Sequence, residues 1–431
     1  MSFSLMTKAD HSIHCLSGSR DRWLVLALSV YMVSTLTSMA VMSLGAFFLL
    51  SLSLWVYGGP RSLFATIRES LKENYLRRYF QISLVLAISL TISLIWAKFF
   101  PVGYGGKWIQ ADLVPAFAKF WYLFWPLFLT PVLERVSEKN RLNILRAWII
   151  AFFIFSLIGI FQYFTGWPRP QVIPGHVVGG YLRYHATIFL GHHLSVASIF
   201  IFPFFMILDF LRDQNKRRAL GFSTVFLSLA VAVGAMTLFL TFSRTLWIAL
   251  PIGILAWLVW NLPRRWAVVF TLLSMLGVFL ASQHPVIQKR FQDGFGLSTR
   301  QELWKANWEF FKQRPLVGVG WRQNQELSGI YFGYLYPGKK HFRGHAHNNL
   351  IDMLAGTGLF GALSWLVWCL AVFWILWPSA RRGDSFARSL TCAWLVFQIN
   401  GMTQLNFWEG KVTHQAMTMM AWALLWARKS K

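Results

Sequence analysis

Long stretches without a charge alternate along this chain with short basic clusters. Trp23 to Pro60 carries no Asp, Glu, Lys or Arg, and neither does Phe80 to Trp96. Runs of about 18 or more apolar residues fit the roughly 30 Å hydrocarbon slab of a bilayer, where a helix satisfies its own backbone polar groups. The pattern predicts twelve helices, at residues 23–39, 41–57, 80–99, 114–133, 147–166, 185–211, 220–242, 244–262, 266–282, 355–377, 388–405 and 413–427. The N-terminal stretch is basic and then apolar, as in a secretion signal. Trp23 to Tyr57 is far longer than an h-region and shows no evident cleavage site, so it reads as two helices, the first a retained anchor.

The basic clusters orient this array. With a cytoplasmic N-terminus, the inner connections hold Arg61, Arg68, Lys72, Arg77 and Arg78, then Arg135, Lys139, Arg141 and Arg146, then Arg212 and Lys216 to Arg218. Arg264 and Arg265, Arg381, Arg382 and Arg388, and finally Arg428, Lys429 and Lys431 complete the set. Every connection expected inside is basic, and both termini fall in the cytoplasm. The fold class expected is all-α, a polytopic transmembrane bundle of about twelve helices.

One outer connection departs from the rest. Residues 283–346 form a large loop between helices 1–9 (residues 1–282) and helices 10–12 (residues 347–431). Loops longer than about 12–15 residues are usually functional or disordered, and this one has the composition of folded protein. Ser298 and Thr299 precede Gln301 and Glu302 in capping-box spacing. Trp304, Trp308 and Phe311 then recur at i, i+4, i+7, until Pro315 and the Gly318/Gly320 pair end the pattern. This predicts an amphipathic helix lying along the outer interface or capping the bundle.

Composition agrees with the pattern. Of 431 residues, 56% are hydrophobic, 17% aromatic and 13% charged, more apolar surface than one soluble core can bury. The net charge of +25 would suit nucleic acid, but its confinement to short loops between apolar blocks argues against that partner. Cys15, Cys369 and Cys392 support no disulfide framework.

Three polar groups fall at the outer ends of helices: Arg183 in Tyr181-Leu-Arg-Tyr-His-Ala, Arg244 in Thr-Phe-Ser-Arg-Thr-Leu-Trp, and Arg343-Gly-His345-Ala-His347-Asn348-Asn349. Arg244 interrupts an apolar stretch from Phe222 to Leu262. A lone arginine at depth costs about 2.5–3.5 kcal/mol on insertion scales. It is either a turn marker snorkelling to headgroups or an anion ligand facing the bundle interior. Two guanidinium forks can clamp a diphosphate bidentately, and they never deprotonate. His345 and His347 have three readings: solvated loop residues, two metal ligands with His341 as a third, or a general base. His192 and His193 read as packing residues, and Gly318-Val-Gly320 as a turn without a phosphate-loop lysine.

These stretches together resemble the O-antigen ligase/polymerase superfamily of bacterial envelope glycosyltransferases. Thr241-Phe-Ser-Arg244-Thr-Leu-Trp247 resembles the family's Ser-Arg helix start. Arg300-Gln-Glu-Leu-Trp304, followed by Arg314-Pro-Leu-Val-Gly-Val-Gly320, resembles its outer-loop signature. His345-Ala-His347-Asn348 with Gly358-Leu-Phe-Gly361 fits the His-Asn, spacer, Gly-x-x-Gly pattern of the ligase branch. Arg183 stands where the family keeps a basic residue, although Tyr184 to Thr187 depart from the usual context.

The resemblance implies a GT-C-like membrane glycosyltransferase of the bacterial inner membrane with its active site facing the periplasm. The donor it implies is an undecaprenyl-diphosphate-linked glycan, and the acceptor a sugar hydroxyl of lipid A–core. His347 would be the general base, Arg183 and Arg244 would hold the diphosphate, and His345, Asn348, Arg300 and Arg343 would support them. No cofactor, metal or nucleotide is implied. A polysaccharide polymerase of the same superfamily is the nearest rival, and a lipid-linked glycan flippase the rival from another class. Trp321, Tyr331, Tyr334 and Tyr336 in the outer loop either stack on sugar rings or form an interfacial aromatic belt.

Overall fold

The computed structural model describes residues 19–109, 111–178, 180–283, 288, 297–338 and 344–429. Within them lie eighteen helices and two short antiparallel hairpins, so a helical bundle is present, with hairpins the apolar pattern did not predict. His341 and Arg343 lie outside the described residues.

Many helices are apolar on the outside as well as the inside. On α4 (Asn74–Phe99), Val85, Ile88, Ile92, Ile95 and Phe99 are exposed at helical spacing, while Leu86, Leu90 and Leu94 are fully buried. On α16 (Asn349–Arg381), Leu359, Phe360, Leu363, Leu366, Val367, Leu370 and Trp374 face outward. Apolar exposure on this scale would aggregate a protein in water; around a bundle it is a lipid-facing surface.

Seven helical segments among the described residues are long and apolar enough to cross a membrane: Met39–Tyr57, Asn74–Phe99, Leu113–Arg135, Glu138–Thr165, His193–Arg212, Arg244–Asn261 and Asn349–Arg381. An eighth results if α10 (Gln214–Leu220) and α11 (Thr224–Leu240) count as one span bent by 94°. The chain is a multi-pass membrane protein by this measure. Three further expected spans coincide with α1 (Ser19–Ser34), α17 (Ser385–Asn400) and α18 (Gly410–Lys429), and the one expected at 266–282 coincides with α13 (Arg264–Ser282). The first two have only 16 residues each. The third carries Thr413, His414 and Gln415, all fully buried. A helix enclosed by other helices meets no lipid and need not be uniformly apolar.

Caps, rather than hydropathy, set the helix ends. The helix expected at 147–166 is α7 (Glu138–Thr165), because the Ser137 hydroxyl accepts from the Asn140 amide at 3.3 Å and starts the helix two turns before its apolar part. The span expected at 220–242 breaks where Gly221 adopts a left-handed conformation (φ 68°) and Ser223 caps α11 through the Phe226 amide at 3.1 Å. The helix expected from residue 185 begins only at His193, as α8 (His193–Ile199), followed by α9 (Ile201–Arg212). Residues 185–192 are held out of helix by the buried Gln162 of α7. Its Oε1 accepts from the Thr187 and Ile188 amides at 2.8 and 2.6 Å, and its Nε2 donates to Thr187 Oγ1 at 2.7 Å.

The outer connection does contain the expected helix, α14 (Leu297–Gln313), which starts just before the capping-box residues. Its buried stripe differs from expectation. Leu303, Ala306 and Phe310 pack with Val319, Leu327, Phe332, Val102 and Ala355 into a second core, whereas Trp308 is half exposed. The helix therefore caps the bundle together with α15 (Asn324–Leu335) and the hairpin β1 (Val102–Tyr104)–β2 (Lys107–Ile109).

The loop after α14 locks into a break in α16. Gly358 has φ 64° and ψ −165°, which interrupts the helix. Across the gap, Val319 N donates to Ala355 O (3.0 Å), Gly320 N to Gly356 O (2.9 Å), Leu359 N to Pro315 O (2.8 Å) and Phe360 N to Leu316 O (3.2 Å). Backbone groups freed by the break are thus satisfied by the loop. A Cβ on Gly358 would lie 2.3 Å from the Leu316 carbonyl carbon, and one on Gly318 2.4 Å from Gly356.

The two ends of the bundle differ in character. Arg78 and Arg382 line one cavity, Arg141 and Lys216 another, and the Lys216 ammonium sits 2.9 Å from the buried Asp209 carboxylate. These come from the connections the charge pattern assigned to one side. The starts of α12 (Arg244–Asn261), α14, α16 and α18 all lie at the opposite end.

Candidate active site

Helix α12 starts at Arg244, just after Phe242, whose φ of 53° turns the chain sharply out of α11. The half-buried Arg244 lines a cavity of about 340 Å³. Arg300, in the first turn of α14, lines the same cavity, as do His185, His193 and Gln171. Burial and the neighbouring Arg244 lower the Arg300 pKa, since two guanidiniums repel in a poorly hydrated space. Such a pair can hold an anion between its two guanidiniums.

The histidine segment is held from several sides. Trp304 of α14 donates to the Ala346 carbonyl at 2.7 Å, and the Asp352 carboxylate accepts from the Ala346 amide at 3.2 Å and from Asn324 Nδ2 at 2.7 Å. Ser328 hydrogen-bonds both backbone groups of Gly344, at 3.0 and 3.2 Å. Asn348 caps α16, accepting from the Leu350 and Ile351 amides at 2.9 and 3.1 Å and donating to the Met402 carbonyl at 2.8 Å. Its amide is thereby committed to structure. Asn349 Nδ2 donates to Asn406 Oδ1 at 2.6 Å, fastening the helix start to the loop before α18.

Clamped in this way, His347 adopts φ 49°, an αL conformation that costs a residue with a Cβ about 1 kcal/mol or more. Phe242, Ile188 and Arg322 are the other positive-φ residues besides glycine among those described, and all four lie at this end of the bundle. Strain of this kind collects at functional sites.

The His345 and His347 rings lie 4.1 Å apart. Burial, then His345, Arg300 and His192, push the His347 pKa down to about 3, so its imidazole is neutral at physiological pH. His345 is also lowered, mainly by burial and against the pull of Asp352 and Glu409.

Sequence reasoning set aside several residues that the fold brings here. His193 stacks on His185 at 4.1 Å between centroids, and His192 on His193 at 4.6 Å. His185 Nδ1 lies 2.9 Å from the Thr241 carbonyl, just before the Ser243-Arg244 helix start. Glu409 bonds the Ser195 hydroxyl and pairs with Lys411 at 3.2 Å, and its charge reaches both His192 and His345. The adjacent histidines on a helix start were the available signal. Nothing local pointed to Glu409, some 60 residues beyond His347.

Arg183 is placed elsewhere. It lies on β4 (Tyr181–Tyr184), paired with β3 (Val172–Val178), and bonds the Val178 and Leu182 carbonyls at 3.2 and 3.3 Å. Its guanidinium covers the rings of Tyr163 and Phe164, and it does not line the Arg244–Arg300 cavity. Among the described residues, no group of three or more His, Cys, Asp or Glu side chains could hold a metal ion, so the His-x-His metal reading gains no partner there.

A multi-pass membrane protein with a cation-lined, histidine-flanked cavity at one end of its bundle is suited to an anionic ligand. Residues 229–366 match the family model described as O-antigen ligase, the superfamily that the sequence motifs resemble. Members of that family are glycosyltransferase-like enzymes. The matched stretch holds Arg244, Arg300, His347 and the interlocked glycines. No curated protein matches the chain.

Proposed function

We propose that this chain is an O-antigen ligase. It transfers a glycan from undecaprenyl diphosphate to a sugar hydroxyl of lipid A–core at the periplasmic face of the inner membrane. The observation that carries the reading is the meeting of Arg244 and Arg300 in one cavity, with the neutral His347 within electrostatic reach of Arg300.

In this reading, the donor diphosphate lies between the two guanidiniums. His347 takes the proton of the acceptor hydroxyl, whose oxygen attacks the anomeric carbon from the face opposite the diphosphate. The bond from the anomeric carbon to the phosphate oxygen breaks, configuration inverts, and the leaving diphosphate keeps the electron pair. Arg244 and Arg300 stabilise the charge that gathers there. Two fixed cations do electrostatically what a divalent metal does in other transferases, so no metal or nucleotide is called for. A ligand-free imidazole with a pKa of about 3 is a weak base. A bound diphosphate offsets Arg300 and returns basicity to His347 when substrate is present.

Arg183 takes no part in this cradle. Its position over Tyr163 and Phe164 supports a role in holding the β3–β4 hairpin.

The test is His347→Ala, assayed by lipopolysaccharide electrophoresis. The variant should reach wild-type abundance, leave lipid A–core without polymer, and accumulate lipid-linked glycan. Wild-type transfer would remove the base assignment. A core bearing a single repeat would instead mark a polymerase, whose acceptor is a second lipid-linked unit. Transport of the intact lipid-linked glycan by reconstituted protein, without transfer, would make it a flippase.

A further inference from the structure

A second and larger cavity opens at the same end of the bundle as Arg244, with a lining that shares no residue with the smaller one. It has a volume of about 1040 Å³ and is walled by the β1–β2 hairpin, the short helix α5 (Leu113–Phe117) and α15. Pockets for small molecules run to about 300–1,000 Å³, so this space suits an oligosaccharide segment better than a single sugar.

Its lining combines two kinds of group. Tyr104, Trp108 and Tyr334 provide aromatic surface; Trp108 and Tyr334 are 65% and 58% exposed, and the Tyr104 and Tyr334 rings stack at 6.2 Å. Lys119 and Arg322 provide charge, and they lie close enough to repel each other. Neither forms an ion pair with a carboxylate among the described residues. Arg322 is held in a left-handed conformation (φ 66°), its guanidinium 3.5 Å from the Trp408 carbonyl. Asp112 and Glu326 line the same cavity and the Asp352 charge reaches Arg322, but Lys107, Lys119 and Arg322 outnumber the carboxylates of the lining and leave it net positive.

The cavity also borders the chemistry. The charge of Arg322 reaches His345, whose ring touches that of His347. The small cavity is linked to the same pair through the charge of Arg300. The histidines are thus linked electrostatically to the Arg244–Arg300 cradle and to a roomy, aromatic cavity with a net positive lining.

We propose that the larger cavity is the acceptor site, and that it recognises an anionic oligosaccharide. Sugar rings stack on Trp108 and Tyr334, and a phosphate or carboxylate substituent pairs with Lys119 and Arg322. This rests on the glycosyl-transfer reading of the His347 site. Stacking of sugar faces on aromatic rings and charge-assisted pairing each give useful affinity, and they are independent of each other.

The test uses the full chain in phosphatidylglycerol-containing nanodiscs and core oligosaccharide released from lipopolysaccharide by mild acid. The oligosaccharide is supplied intact, dephosphorylated, or with its carboxyl groups reduced. Calorimetry should show binding of the intact form, and about tenfold weaker binding, close to 1.4 kcal/mol, for Lys119→Gln and for Trp108→Ala. Lys119→Arg should restore most of the loss. Whichever stripped form binds poorly identifies the anion. In turnover, the acceptor KM should rise in Lys119→Gln while the donor KM stays.

Equal binding of all three oligosaccharides overturns the charge claim. Unchanged affinity in both Lys119→Gln and Trp108→Ala overturns the site. A wild-type protein that binds the intact oligosaccharide in this way, yet never transfers glycan to lipid A–core, keeps the anionic-glycan site and overturns the ligase reading alone.

Discussion

His347 shows how a single side chain depends on its surroundings. An imidazole in water titrates near 6.5, but here burial and the cations around it favour the neutral form. The sign has a kinetic consequence. A lowered pKa keeps the base unprotonated further into acid, so kcat/KM for the donor should stay flat from about pH 8 to about pH 5. Bound diphosphate cancels part of the Arg300 repulsion, so the acid limb of kcat should lie above that of kcat/KM. Both limbs coinciding near the ordinary histidine value would contradict this electrostatic picture. At Arg244 the shape of the cation matters as much as its charge. Arg244→Lys keeps one positive charge and loses the planar fork, so donor turnover should fall by about tenfold or more. Arg183→Lys, tested alongside, should cost far less. Equal losses at the two positions would return Arg183 to the cradle. The motif around Arg244 was readable as a candidate, against a snorkelling turn marker, because an arginine in an apolar run is expensive. Arg183 had the same local appearance, and only the hairpin geometry separates the two.

Among elements, the interlock between residues 315–320 and the break in α16 carries the most structural weight. The two glycine signatures, Gly318/Gly320 and Gly358-Leu-Phe-Gly361, read in sequence as a turn and a family motif. In the fold they are one device: each lets backbone approach backbone where a Cβ would collide. This fixes α14 against α16 and so sets Arg300 relative to His347. Gly358→Ala should lower the thermal midpoint of the purified protein. The φ of 64° alone costs about 1–3 kcal/mol once a Cβ is present, and overlap with Leu316 adds to it. Transfer should fall with it. Gly277→Ala in α13 (Arg264–Ser282), where nothing lies within 4 Å of the added methyl, serves as the control and should be neutral or slightly stabilising. Similar midpoints for the two variants would show that the interlock is not under strain. The expected Trp304–Trp308–Phe311 face was split for a related reason. Periodicity identifies a helix, but two partners on different sides chose which stripe to bury: α15 takes Leu303 and Phe310, and the histidine segment takes Trp304.

At the scale of the molecule, charge and hydrophobicity sort along one axis. Basic connections gather at one end, around two cavities of their own, and the Arg244–Arg300 cavity, the larger aromatic cavity and the histidines lie at the other. The positive-inside rule predicts that the first end is the cytoplasmic one. In a background with the native cysteines replaced, a membrane-impermeant maleimide applied from outside should label Lys107→Cys and spare Arg382→Cys. The reverse pattern would invert the topology and move the site away from any periplasmic acceptor.

The sequence by itself determined the membrane class, most of the spans and the two unlike ends. Transfer of each side chain into lipid is a local quantity that sums along a window, so it can be read one stretch at a time. Tertiary structure alone decided which polar residues share a site. Arg244, Arg300, His193, His347 and Glu409 come from separate elements, and Gln162, Asn349 and the glycine interlock set their mutual placement. Whether a side chain faces lipid, a neighbouring helix or a cavity depends on packing partners distant in sequence. No local pattern encodes that choice, which is why Arg183 was read with Arg244 although it lies on the β3–β4 hairpin, and why Glu409 gave no signal.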